Sequence, residues 1–238
     1  MRESGRMLAT VLQLLKSKVE PGISTKQIAD IAAQELQALG GTPTFLGYQG
    51  FPDVICISID NEVVHGIPKP QRIINDGDIV SLDFGVTYRG MITDSALSVI
   101  AGKPKQQGHI RIVADTEKAM QIGIAEVHDQ VRTGDIGAAI ESFLSSKRYG
   151  IVRDLVGHGV GHALHEDPNV PNYGRAGSGP YLSAGMTIAI EPMATLGTDR
   201  VTIAPDGWTV LTLDNAWAAH FEHTVLITES GAEILTQL

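Results

Sequence analysis

Two stretches of the chain carry one pattern at a fixed separation. GDIVSLD, residues 77–83, and GMTIAIE, residues 185–191, each run from a glycine through an alternating strand to a terminal carboxylate, Asp83 or Glu191. Thr25 and Thr133, Ile28 and Ile136, and Leu36 and Leu144 stand the same 108 residues apart, the Ile and Leu pairs lying in helical patterns. One match between apolar helices arises by chance. An offset shared by a helix and a strand points to duplication. The expectation is one domain over 1–238, built from two similar α/β halves of about 1–108 and 109–238. With 43% hydrophobic residues, the chain is long enough to bury a sizeable core. Acids on the inner strands then face one another across the junction, a favoured place for a ligand site.

The remaining elements follow from periodicity and punctuation. Met7, Leu8, Val11, Leu12, Leu15 and Val19 share one helical face. Pro21-Gly22 ends that helix, and Ser24-Thr25-Lys26-Gln27 is a capping box that opens a second one, closed by Gly40-Gly41. Residues 42–52 read as a turn-rich loop, 54–59 as a strand and 61–68 as its exit. Further strands are expected over 79–84, 91–100, 187–191, 208–213 and 221–228, and helices over 109–129 and 135–144.

Four acids stand in apolar strands. Asp83 ends one alternating strand, and Asp94 sits in the next, MITDSALSVI. A turn centred on Tyr88-Arg89 places the two aspartates directly opposite each other, with Cβ atoms about 5 Å apart, where like charges repel. Glu191 lies in TIAIEPM and Glu222 in AAHFEHTVLIT. Few cations are near: Arg200 falls between the two glutamates, and His220 and His223 flank Glu222. A shared proton or a divalent cation offsets such repulsion. Four carboxylates and one imidazole balance two divalent ions, and an oxygen-rich set of this kind suits Co, Mn, Fe or Zn used as a pair.

The imidazole has several candidates in VGHGVGHALHEDP, residues 156–168, which holds His158, His162 and His165 among Gly157, Gly159 and Gly161. Three glycines cost about 1 kcal/mol each in a helix. The segment therefore reads as extended and close-packed. Its histidines then face different ways, and His158 and His165 need not share a task.

The formal charge of −9 argues against a general nucleic-acid grip. The single cysteine, Cys56, suits a reducing compartment, read as the cytoplasm, and no apolar run approaches a membrane span. The match to G-x-G-x-x-G is poor, so a dinucleotide enzyme is disfavoured.

The acids and their surroundings resemble the type I methionine aminopeptidases, in the short bacterial and organellar form. The matching pieces are residues 47–68, 76–96, 157–168, 186–193, 205–210 and 221–228, in the family's order. The resemblance implies an α+β "pita-bread" fold with two pseudo-symmetric halves around two divalent ions. It implies Asp83, Asp94, His158, Glu191 and Glu222 as metal ligands, with Asp94 and Glu222 bridging. It places His165 at the substrate carbonyl and His65 near the scissile nitrogen; Glu191 is the candidate general base. Tyr48, Phe51, Cys56, Leu164, Met193 and Trp208 fall where the family lines its methionine pocket. The implied reaction is hydrolytic removal of N-terminal methionine, before a small second residue, by a metal-activated water. Peptides and nascent chains, the latter at the ribosome, are the implied partners of a monomer. Two positions depart from relatives: His162-Ala163, and Asp60 where many carry Asn in a loop that often supports a monovalent ion. The chain shows no Cys/His-rich zinc module and no room for the type II helical insert. Alternatives are a proline-selective aminopeptidase or prolidase on the same fold, and a metal-free peptide- or ribosome-binding protein.

Overall fold

Alternation decides which side of the central sheet each acid occupies. The computed structural model describes residues 1–238. Four helices, α1 Arg2–Lys18, α2 Thr25–Leu39, α3 Gln107–Ala125 and α4 Thr133–Ser146, accompany a nine-stranded antiparallel sheet. Its strands are β1 Thr42–Pro43, β2 Cys56–Ile59, β3 Ile79–Tyr88, β4 Met91–Ile100, β5 Gly157–Gly159, β6 Glu166–Val170, β7 Thr187–Ile190, β8 Glu222–Thr228 and β9 Gly231–Ile234. The main path runs β1-β3-β4-β8-β7-β5-β6, with β2 on β3 and β9 on β8. Two small three-stranded sheets lie off this path, one of them containing Ala218–His220, Met193–Thr195 and Gly150–Ile151.

Each helix pair closes its own core against the sheet. Leu8, Val11, Leu12 and Leu15 of α1, and Ile28, Ala29, Ala32 and Leu36 of α2, pack on Val80, Leu82, Phe84 and Val86 of β3. Ile112, Ala119, Met120 and Ile124 of α3, with Ile136, Ile140 and Leu144 of α4, pack on Ile188, Ile190, Val225 and Ile227. Successive strand residues point to opposite faces. Asp83, Glu191 and Glu222 alternate with these core residues and therefore face away from the helices. The expected pairing of halves is visible in the elements: α2 and α4 begin at Thr25 and Thr133, and β3 and β7 at Ile79 and Thr187.

Local chemistry sets the boundaries. Ser24 caps α2 by accepting from the Gln27 N–H, and the Gln27 side chain accepts from the Ser24 N–H, as the capping box requires. At the other end Gly40 takes φ 82°. The β3–β4 hairpin differs from expectation. Its turn is Arg89-Gly90, with φ 50° and 76°, and Tyr88 pairs with Met91. A two-residue turn with both central residues at positive φ matches the twist of the strands it joins, and glycine takes that conformation without strain. Asp83 therefore pairs with Ala96 and Asp94 with Gly85, so the aspartates are diagonal neighbours, not directly opposed. The register moves by two residues, which keeps both on one face. The 61–68 exit also differs, because Glu62–Val64 forms a strand paired with Val210–Thr212. No helix is long and apolar enough to cross a membrane.

Candidate metal centre

Four strands and one loop step bring the acids and His158 together. Ala96 pairs with Asp83 on one side and with Glu222 on the other, so the two acids flank a methyl group in one cross-strand row. The smallness of that methyl leaves the space between them open. Asp94 lies two residues from Ala96 on the same face. His223 pairs with Ile190, and Glu191 follows one step later beside Glu222. His158 sits in β5, whose Gly157 and Gly159 allow backbone contact that a side chain forbids. A Cβ at Gly157 would meet the Ala189 carbonyl oxygen at 2.3 Å, and one at Gly159 the Asp167 carbonyl oxygen at 2.4 Å. The extended, close-packed reading of this segment thus has a specific cause.

The four acids lack counter-charges from the protein. Asp83, Asp94 and Glu222 are buried, and no Lys or Arg pairs with any of the four; the only ion-pair contacts are from His158 and His220 to Glu191. Arg200 is exposed and plays no part. Burial, then the Asp94 charge, pushes the Asp83 carboxyl well above the usual range. Burial does the same to Glu222 and Glu191, reinforced by their acidic neighbours. Asp94 is pushed up to about 7 by burial, against a Ser95 N–H bond that lowers it. Asp83 Oδ1 and Glu222 Oε1 have no hydrogen-bond partner, a costly state for buried oxygens.

The set fits a hard or borderline divalent cation. Ligand atoms of Asp94, His158 and Glu222 lie within 4.8 Å of one another. His158 donates its Nδ1–H to the Gly159 carbonyl at 2.9 Å, which leaves the Nε2 lone pair facing Glu191 Oε1 at 3.4 Å. This is the tautomer a metal-binding imidazole needs. Burial, with His165 beside it, holds the His158 imidazole down at about 4, so it is neutral at pH 7.

The acids form the floor of a cleft of about 190 Å³ whose walls include Tyr48, Phe51, Cys56, Leu164, Met193 and Trp208, with His65 and His165. All thirteen side chains singled out in the sequence therefore meet in one place. Phe51 meets Trp208 edge-on at 5.2 Å. Tyr48 Oη is 2.8 Å from His165 Nδ1, and the His165 ring stands 4.3 Å from that of His158. Burial lowers His65 to about 4, with His165 adding to the effect. Outside the cleft lie His162, which is exposed, and Asp60, whose carboxylate accepts from the Ile79 N–H at 2.9 Å. The sequence reading missed Phe45, Gln49, Val64, Leu155, Val156 and the role of His220 as part of the wall. Alternation in AAHFEH puts His220 on the face of Glu222, a signal that identifies it.

Residues 1–229 match the profile of metallopeptidase family M24. The chain belongs to metallopeptidase family M24. It is 42% identical over 237 residues to the methionine aminopeptidase of Mycoplasma capricolum, a match spanning 100% of this chain and 94% of that protein. The methionine aminopeptidase structure from Thermotoga maritima superposes with a TM-score of 0.98 at 39% identity, over 100% of this chain and 95% of that one. Prolidase from Pyrococcus furiosus shares the pita-bread fold, with a TM-score of 0.79 at 20% identity, but only 63% of its chain is covered. As an M24 metallopeptidase the chain uses divalent metal, and Asp94, His158 and Glu222 are close enough together to hold an ion.

Proposed function

We propose that the chain removes N-terminal methionine from peptides and nascent proteins, favouring a small second residue, with two divalent ions held by Asp83, Asp94, His158, Glu191 and Glu222. The observation that carries this reading is the convergence of four carboxylates, three of them buried and none paired with Lys or Arg, and a lone-pair imidazole at the base of an aromatic-walled cleft. Asp94 and Glu222 stand on the adjacent middle strands β4 and β8, between Asp83 on β3 and Glu191 after β7, and would be the pair shared by both ions, as the resemblance implies. Cobalt, manganese, iron and zinc all suit these donors. Bound divalent ions supply a hydrolytic nucleophile near neutral pH and Lewis acidity toward the scissile carbonyl.

The side chains supply the rest. Glu191 takes a proton as general base and returns it to the leaving amine. With the Tyr48 hydroxyl donating to Nδ1, His165 carries its proton on Nε2 and keeps it while donating a hydrogen bond to the carbonyl oxygen as charge builds there. His65, neutral at pH 7, faces the scissile nitrogen. Phe51, Trp208, Leu164, Met193, Cys56 and the Tyr48 ring accept a flexible thioether, whose sulfur gains weak contacts with ring edges. Misfit of one methylene is worth about 1–3 kcal/mol in such a slot, so leucine is disfavoured and not excluded. Nascent chains are the natural source of N-terminal methionine, which supports action near the ribosome, in the cytoplasm.

Proline-directed cleavage is not favoured, because the prolidase likeness is a likeness of fold only and covers less of that chain. A metal-free binding role leaves four converging acids with no Lys or Arg to offset them. Activity on Met-Ala-Ser and on an Xaa-Pro peptide, after chelation and add-back of each metal, decides among them. Metal-dependent cleavage of Met-Ala-Ser alone is expected. Preference for Xaa-Pro, or no cleavage with any metal, overturns the assignment.

A further inference from the structure

One imidazole on the cleft wall belongs neither to the ligand set nor to the donors assigned above. His220 is 2% exposed, and neither ring nitrogen has a hydrogen-bond partner. Its backbone, in contrast, is fixed twice. The His220 N–H donates to Ser98 Oγ at 2.9 Å, and the same hydroxyl donates to the His220 carbonyl at 2.8 Å. That uses the only hydroxyl hydrogen of Ser98, so the Ser81 hydroxyl, 2.8 Å away, donates to Ser98 Oγ. Pairing of Met193 with His220 ties this strand to the segment that follows Glu191. A buried serine pair thus holds in place a ring whose polar atoms are otherwise free.

The ring faces one oxygen of Glu191. His220 Nε2 lies 3.9 Å from Glu191 Oε2, while Glu191 Oε1 lies 3.4 Å from His158 Nε2. The carboxylate therefore presents Oε1 to the ligand side and Oε2 to His220. A terminal carboxylate torsion is broad and twofold, so nothing intrinsic to glutamate fixes this orientation. A group that ligates through one oxygen and carries a proton on the other needs that plane held.

We propose that His220 is a positioning residue whose Nε2–H orients Glu191 by engaging Oε2. The proposal rests on Glu191 being both ligand and base. It is tested with His220→Leu, His220→Asn and His220→Gln in the full chain, by two readouts. One is calorimetric titration of the chelated protein with Mn²⁺; the other is steady-state cleavage of Met-Ala-Ser. Leu and Asn are expected to weaken Mn²⁺ binding and lower kcat, each by about 10–100-fold, the usual effect of losing a group that orients a metal ligand. KM should stay within about twofold. Gln reaches one bond further than Asn, and its amide N–H should keep both readouts within about threefold of the parent. Unchanged Mn²⁺ affinity and kcat in Leu and Asn overturn the proposal. So does a rise in KM at constant kcat, or a Gln variant as impaired as Leu. If Leu fails to fold, the comparison of Gln with Asn carries the test. A parent chain that binds Mn²⁺ but cleaves no methionyl peptide defeats the functional reading, while the calorimetric arm still reports on His220.

Discussion

His165 offers the most direct residue-level test of the chemistry, because it touches no assigned metal ligand through its polar atoms. Its Nδ1 is engaged by the Tyr48 hydroxyl at 2.8 Å. His165→Ala should lower kcat/KM by about 10²–10³ with the bound metal unchanged, as loss of an oxyanion donor does. Tyr48→Phe, which only frees the tautomer, should cost about 10-fold or somewhat more. Full activity in His165→Ala at normal metal content removes this histidine from the mechanism. The acids make a second prediction. Asp94 at about 7, with Asp83, Glu191 and Glu222 well above the usual range, means that the metal-free folded chain holds protons the unfolded chain has released. That contribution to stability is complete below about pH 4 and is lost as pH rises through the folded values. His65 and His158 at about 4 and His220 at about 3 act in the opposite sense, but only below an ordinary imidazole pKa of about 6.5. Between about pH 6.5 and 8 the acids therefore dominate, and the Tm of the chelated chain should fall as pH rises. Asp94→Asn should flatten that slope, raise the chelated Tm at pH 8 and abolish stabilisation by Mn²⁺. The four acids were legible in the sequence because each interrupts or ends an apolar strand. His220 had only its alternation with Glu222 to mark it, because a histidine beside a glutamate looks like its counter-ion until the ring is seen to face a different acid.

Elements convert this list into a site. Which face each acid occupies was readable from alternation, whereas register was not. The turn forms one residue later than Tyr88-Arg89, since Tyr88-Arg89-Gly90 offers two overlapping turn positions and glycine at the second settles which one forms. Because the resulting register change is two residues, the common face survives. The strand Glu166–Val170 had no periodic signature, and three-residue strands such as Ala218–His220 are too short to carry one. The glycines of β5 were informative, and they yield a prediction. Gly159→Ala places a methyl against the Asp167 carbonyl oxygen, a backbone atom that cannot rotate away. Overpacking of this kind costs about 1–3 kcal/mol or more, and it displaces the neighbouring His158. A lower Tm together with weakened Mn²⁺ binding is expected; a variant with parental Tm and parental affinity shows that the close approach is not needed. Ser24→Ala, by comparison, removes a helix cap far from the acids. It should cost about 1 kcal/mol, seen as a Tm drop of about 2–4 °C, with kcat unchanged.

At the scale of the molecule, two helix-backed cores hold the two ends of one sheet, and the acids sit on its opposite face near the junction. The sequence repeat made this arrangement legible: an offset of 108 residues separates the starts of α2 and α4 and of β3 and β7. The small sheets that complete the cleft walls lie outside the repeat signal and were not foreseen. Stability of such a molecule is coupled to cation binding. An ion that binds only the folded chain, present at 100 times its dissociation constant, adds about 2.7 kcal/mol. Because the acids hold protons when metal-free, binding must also release them. The most direct measurement is therefore calorimetric titration of the chelated chain with Mn²⁺ at pH 7.5 in two buffers of different ionisation heat. Two ions bound per chain, with a buffer-dependent heat that reports proton release, is the expected result. An absence of bound ions, or binding that survives replacement of both Asp94 and Glu222 by their amides, contradicts the account.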